Sequence, residues 1–134
     1  MMRNTLRRTG VMAAIAILAT MGAVSTASAD DGHYLSGSDV VAGSGCKAWM
    51  NGRGHGNGFQ VQGRVESWLR WGSCTMWLEQ RRDGERNYHP ISSKISVSGW
   101  ADQDWSAFYP DGSHLNTRVC VKFGGDFAQC SKSF

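Results

Sequence analysis

The sequence predicts an all-β domain, a small disulfide-stapled β-sandwich of about six or seven strands with immunoglobulin-like or crystallin-like Greek-key connections. Three observations carry this. Apolar residues alternate with polar ones at a period of two wherever a pattern is clear. The alternating runs are separated by Asp-Gly, Asn-Gly and Gly-Gly segments. An even set of four cysteines lies within the patterned region. No stretch beyond residue 29 shows the sustained 3.6-residue apolar stripe of a helix.

Residues 1–29 read as an export signal. Arg3, Arg7 and Arg8 form a positive start, an uncharged apolar run spans Val11 to Val24, and Ala27-Ser28-Ala29 has the small-x-small form of a cleavage site. The apolar run is shorter than the roughly 20 residues needed to span a bilayer, and no later segment is apolar enough to anchor the chain, so a secreted, extracellular protein without a membrane anchor is expected. Of the 14 basic residues in the chain, these three arginines leave with the signal, and the remainder matches the 11 acidic residues. A neutral domain with scattered arginines has no electrostatic footprint for nucleic acid or for an anionic membrane surface.

The segment 30–43, DDGHYLSGSDVVAG, is rich in Gly, Ser and Asp and precedes the first cysteine, so it reads as a flexible N-terminal arm before a β domain spanning 44–134. In that domain Phe59, Val61, Gly63 and Val65 share one strand face, with Gln60, Gln62, Arg64 and Glu66 on the other. Cys74, Met76 and Leu78 alternate with Thr75, Trp77 and Glu79. Ile91, Ser93, Ile95 and Val97 form a further run, and Leu115, Thr117, Val119, Val121 and Phe123 form the longest. Turns are predicted over Asn51–Gly58, Arg82–Glu85, Pro110–Gly112 and Gly124–Gly125, whose residues accept positive φ cheaply.

An exported chain with Cys46, Cys74, Cys120 and Cys130 points to two disulfides, for which three pairings exist. Register selects one. If the chain reverses around Gly124-Gly125-Asp126 so that Phe123 faces Phe127, then Cys120 faces Cys130, at a separation an opposed antiparallel pair and a disulfide both tolerate. Cys46 is then left for Cys74. Zinc would want C-x-x-C spacing or histidine partners, which the sequence lacks, and no metal or other cofactor is expected.

Candidate catalytic residues are sparse. His33, His55, His89 and His114 belong to no local nucleophile or metalloprotease signature and read as loop or surface histidines. Asp102 and Asp104 offer oxygens for calcium, but nothing nearby completes a six-oxygen shell, so they read as solvated loop acids. The unusual feature is tryptophan: Trp49, Trp68, Trp71, Trp77, Trp100 and Trp105. Each is expected chiefly in core packing beside the disulfides, with at least one or two left exposed as an interaction surface for a protein or for the face of a sugar ring.

With the signal, the arm, the cysteine framework and the ending RVCVKFGGDFAQC (Arg118–Cys130), the chain resembles small exported β proteins of actinobacteria. Within that group its layout is similar to the small adaptor subunit of umbrella toxin particles, which such bacteria secrete against competitors. The resemblance implies a non-enzymatic protein–protein interaction module. Its partners would be a lectin-bearing subunit with a degenerate trypsin-like domain and a large toxin polypeptide with repeats. It also implies that the arm enters the cleft of the trypsin-like domain, which makes Tyr34, Leu35, Val40 and Val41 the partner-binding residues. A second resemblance, to βγ-crystallin-like inhibitors and killer-toxin-like proteins, implies a free-standing protease inhibitor or antimicrobial protein. The sequence departs from it in lacking paired acidic calcium motifs.

Overall fold

A computed structural model of the chain describes residues 32–134; the expected signal and Asp30-Asp31 lie outside the described residues. The domain is all-β. Eight strands, β1 (His33–Tyr34), β2 (Val40–Ala42), β3 (Cys46–His55), β4 (Gly58–Arg82), β5 (His89–Pro90), β6 (Ile95–Pro110), β7 (Leu115–Phe123) and β8 (Gln129–Cys130), join in one antiparallel sheet. The count differs from the six or seven expected because β1, β5 and β8, each two residues long, carry no alternation that could signal them, while two expected strands merge into one, β4.

The organising element is β4, 25 residues long. The runs around Val61 and Met76, each of which reads as a strand in its own right, are two halves of this one strand. The first half lies between β3 and residues 100–110 of β6; the second lies between β7 on one side and β5 with residues 95–98 of β6 on the other. The sheet curls along this strand until its two halves face each other like the layers of a sandwich, so β3 and β7 pack together without sharing a ladder.

Alternation decides what fills the interior. Ala48 and Met50 of β3, Val61 and Val65 from one half of β4, Cys74, Met76 and Leu78 from the other, and Val119 and Val121 of β7 are all fully buried. Each large side chain among them contributes about 1.5–3 kcal/mol over the exposed state. Gly63 belongs to the same inward series for a steric reason. A Cβ there would lie 2.7 Å from Met76 Sδ and 3.1 Å from Leu78 Cδ2, so its missing side chain is what lets the halves of β4 close on each other.

Both disulfides form with the expected pairing. Cys46–Cys74 joins the start of β3 to the second half of β4 (Cα–Cα 5.5 Å), and Cys120–Cys130 crosses the β7–β8 hairpin (Cα–Cα 4.0 Å). The hairpin register is the predicted one, since Val121 faces Gln129 next to the bridged pair. The ladder does not reach the Phe123–Phe127 position, and Phe127 stands in water.

Two expectations are corrected. Residues 32–43 are part of the sheet and not an arm beyond it: β1 and β2 both pair with β3. Ser38 and Ala42 are buried. The Ser38 hydroxyl donates to the Leu35 carbonyl (2.7 Å) and accepts from the Met50 N–H (2.9 Å), which pins the crossover between the two short strands. Main-chain pairing along a sheet edge does not require the apolar side chains whose scarcity suggested an arm. The predicted Asn51–Gly58 turn shrinks to Gly56-Asn57, because strand pairing continues through His55 opposite Gly58 and leaves Asn51 and Gly52 buried.

Candidate interaction surface

The bend of β4 builds an aromatic knuckle. Between the pairs Trp68–Trp100 and Ser73–Ser98, β4 runs through four residues, Leu69 to Gly72, while β6 runs through Gly99 alone. The excess must loop outward. Leu69 turns back into the core, whereas Trp71 is 81% exposed. Positive φ angles at Gly72 and Gly99 (both 91°) make the excursion possible on both strands. One step on, Ala101 is the extra residue between Trp100 and Asp102 and holds a φ of 60°, a left-handed conformation that costs an alanine about 1 kcal/mol or more.

Asp102 stabilises this irregularity by accepting the Ser98 N–H at 3.1 Å, and Asp104 accepts the N–H of Trp105 at 2.8 Å. Both acids therefore brace local backbone. Trp68 and Trp100 (68% exposed) meet edge to face with ring centroids 5.2 Å apart, a geometry the ring quadrupole favours. The β7–β8 loop is tied to the same end by the Gly124 N–H on the Ser73 carbonyl (2.9 Å). Three tryptophan side chains that would each bury about 150–250 Å² are thus held partly or largely in water, on the order of 400 Å² together. That area lies within the range of the largest apolar patch on a monomer.

A second concentration of groups lies on the outer face of β3, β4 and β6. Directly paired residues share a face, so the ladders define rows: Val41, Lys47, Glu66 and Gln103; Trp49, Arg64 and Trp105; Tyr34, Asn51, Gln62 and Phe108. Beside the first two rows, a hollow of about 440 Å³ is lined by Tyr34, Asp39, Lys47, Trp49 and Glu66. Asp39 accepts the Tyr34 hydroxyl and sits 3.3 Å from Lys47 Nζ. The Tyr34 hydrogen bond, with Lys47 behind it, holds the Asp39 carboxyl below its ordinary range, and the same bond pushes the Tyr34 hydroxyl up.

The structure divides the residues that the resemblance singled out. Tyr34 and Val41 are exposed on the outer face, while Leu35 and Val40 turn inward and pack against the core. The four therefore do not form one contact strip. Of the tryptophans, Trp68, Trp71, Trp100 and Trp105 are exposed and Trp49 is half-buried. Trp77 alone is buried, with its indole N–H on Glu79 (2.9 Å) and Lys94 over its ring (5.1 Å). Arg64 and Glu66 were legible as polar partners of an alternating strand, but Lys47 was not, and the pairing of Glu66 with Lys47 and of Arg64 with Trp49 needed the β3–β4 register. All four histidines are exposed. Among the described residues, three potential metal ligands converge at Glu79, Cys120 and Cys130, where both sulfurs are already in a disulfide and Arg118 holds the carboxylate at 2.7 Å.

Comparison with family models, curated proteins and solved structures found no match to the chain.

Proposed function

We propose that the protein is a secreted, non-enzymatic protein–protein interaction module that docks a larger subunit on its tryptophan knuckle. The observation that carries this reading is the bulge itself. The sheet gives up ladder continuity over four residues and accepts a left-handed alanine, and what it gains is the presentation of Trp68, Trp71 and Trp100 to solvent. Backbone strain of this kind persists where function uses it, and tryptophan is the residue most enriched at the energetic centre of protein interfaces. A patch on the order of 400 Å² suits the centre of a standard interface, which covers about 800 Å² on each partner. The two disulfides fit an oxidising extracellular setting, and among the described residues no helix is long and apolar enough to cross a membrane.

The resemblance in layout makes an adaptor the most specific form of this reading, one that joins a lectin-bearing subunit with a degenerate trypsin-like domain to a toxin polypeptide in an interbacterial antagonism particle. The knuckle then takes the docking role expected of the arm, whose Leu35 and Val40 are engaged with the core. Affinity capture from the culture supernatant of the producing organism, read by mass spectrometry, tests it. The wild-type protein is expected to bring down a larger secreted subunit in stoichiometric amount, and Trp71→Ser/Trp100→Ser to lose it. Equal capture by both, or a protein that remains alone, contradicts the reading.

A further inference from the structure

We propose that the outer face of the sheet's second half docks an acidic polypeptide segment, beside the knuckle. The assignment rests on the protein-docking reading and names the chemistry of the partner. Cations scattered along the sequence are gathered here by the strand register. Lys122 pairs with Thr75, Arg118 with Glu79 and Asn116 with Arg81, and the odd-numbered positions of β4 from Thr75 to Arg81 point away from the core that Cys74, Met76 and Leu78 enter. Lys94 joins them, with its Nζ 5.1 Å from the centre of the Trp77 ring. Arg81, Lys94, Arg118 and Lys122 thus share this face with a single carboxylate, Glu79. The surplus does not depend on where the face is taken to end. The 82–86 turn beyond these rows adds Arg82 and Arg86 but also Asp83 and Glu85, and at the other end Arg70 in the bulge offsets Asp126 in the loop tied to it. The half of the sheet built on β3 has the opposite balance, with Lys47, Arg53 and Arg64 against Asp39, Glu66, Asp102 and Asp104.

Two features favour carboxylates carried on a polypeptide. The face already holds one carboxylate: one Glu79 oxygen accepts Arg118 Nε and Nη2 at 3.0 and 2.7 Å, and the other accepts the Trp77 indole N–H at 2.9 Å. Glu79 is therefore engaged with its own neighbours, whereas Arg81, Lys94 and Lys122 form no salt bridge among the described residues. Tyr88 presets both arginines, since its ring centre lies 4.9 Å from the Arg81 guanidinium carbon and 3.8 Å from that of Arg118, and a guanidinium held on a ring keeps its edge donors for a carboxylate. The second feature is spacing. Lys122 and Arg118 stand four residues apart on one strand face, about 13 Å, the distance between carboxylates four residues apart in an extended peptide. Between the cations the floor is Trp77 and the hydroxyl pair of Thr75 and Ser96 (2.8 Å). Trp77 is buried and Tyr88 carries both guanidiniums, so the face offers no open ring on which a nucleic-acid base could stack. Along β4 the face runs directly into the bulge that carries Trp71, so one partner chain can engage both.

Fluorescence anisotropy of a labelled Glu-Gly repeat peptide, titrated with the protein purified from culture supernatant, tests the assignment. The peptide is expected to bind with a Kd of about 0.1 mM or tighter at about 0.05 M salt and severalfold more weakly at about 0.3 M, while its Gln-Gly counterpart does not bind. Lys94→Glu/Lys122→Glu reverses the sign of the face and weakens binding about tenfold or more; Lys94→Glu alone, at an exposed position, weakens it severalfold and carries the test if the double variant does not fold. Lys47→Glu/Arg64→Glu makes the same change of net charge on the other half and is expected to leave the Kd within about twofold. No binding of the Glu-Gly peptide, tighter binding of a polyphosphate of equal charge, or equal losses from the two charge-reversed pairs overturns the proposal. So does a dimer at low salt that Lys94→Glu dissolves, because a second copy then fills the face. The peptide is read without the partner and the knuckle by subunit capture, with Trp71→Ser/Trp100→Ser expected to bind the peptide as wild type does. Capture that needs the tryptophans while the peptide fails to bind removes this proposal alone; peptide binding while wild type captures nothing removes the knuckle reading alone.

Discussion

Removing the Cys46–Cys74 disulfide is expected to destabilise the domain more than removing Cys120–Cys130, and the structure sets the size of the difference. In the loop-entropy description, the first bridge closes 28 residues and contributes about 3.6 kcal/mol, and the second closes 10 and contributes about 2.7 kcal/mol. Burial widens the gap. Cys46 and Cys74 are both buried and belong to the core that the two halves of β4 enclose, so Cys46→Ala/Cys74→Ala also leaves a small void worth about 1 kcal/mol. Cys130 is only half-buried, and its strand keeps main-chain bonds to β7 through the Ser131 N–H on Val119 and the reciprocal pair between Phe134 and Thr117. The expected losses are therefore about 4–5 kcal/mol against about 3 kcal/mol, or roughly 20 °C or more in Tm against roughly 10–20 °C for a domain of this size. Urea unfolding of the two double variants measures this. The m-values must be fitted separately, because an uncrosslinked unfolded chain exposes more surface. A Cys120→Ala/Cys130→Ala variant as unstable as the other, or a Cys46→Ala/Cys74→Ala variant within about 1 kcal/mol of wild type, refutes the reasoning that the first bridge holds the bend closed.

Other consequences follow from single residues. Ser38→Ala strands the buried Met50 N–H and is expected to cost about 1–3 kcal/mol by urea unfolding; a neutral result means that the 32–43 segment is not part of the cooperative unit. Gly63→Val is expected to cost about 2–3 kcal/mol or to prevent folding, whereas valine at the exposed Gly112, with nothing within 4 Å of its Cβ position, is tolerated; circular dichroism and thermal melts of the pair decide this. Asp111 is buried, and desolvation pushes its carboxyl up to about 6 against the opposing hydrogen bond from Thr117. The folded state then holds the proton more tightly than the unfolded chain, so the contribution of Asp111 to stability is fully present below the unfolded value of 3.8 and is lost as pH rises from there through about 6. The ceiling is about 3 kcal/mol at 1.4 kcal/mol per unit, and residual solvent contact brings the expected slope to about 1–2 kcal/mol in total. Asp111→Asn should flatten this part of the pH–stability curve, and a curve that keeps its slope assigns it to another group.

How much of this was legible depends on the range over which each signal acts. Alternation is local, so the inward series Val61–Val65, Cys74–Leu78 and Thr117–Val121 could be read directly, and the symmetry of one hairpin sufficed to pair Cys120 with Cys130. The fate of the arm was not legible. Its attachment depends on backbone pairing to β3 and on one serine hydroxyl, neither of which alters composition. The knuckle was hidden for a different reason: Leu69-Arg70-Trp71-Gly72 becomes a four-residue bulge only against Gly99, and which strand lies opposite is a long-range fact. Expecting core packing for each tryptophan followed from its apolar area, and it fails at Trp68, Trp71, Trp100 and Trp105; at Trp71 and Trp100 the positive φ angles of Gly72, Gly99 and Ala101 accompany the outward turn of the chain.

The central claim, that the knuckle is the docking surface, is tested most directly by photo-crosslinking. A photoreactive phenylalanine analogue replaces Trp71 in one protein and Arg86, in the exposed segment between β4 and β5, in another; both are irradiated in culture supernatant. The account predicts a discrete, higher-mass adduct to one larger secreted subunit from position 71 and none from position 86. The same adduct from position 86, or none from position 71 while the wild-type protein still captures its partner, would contradict it.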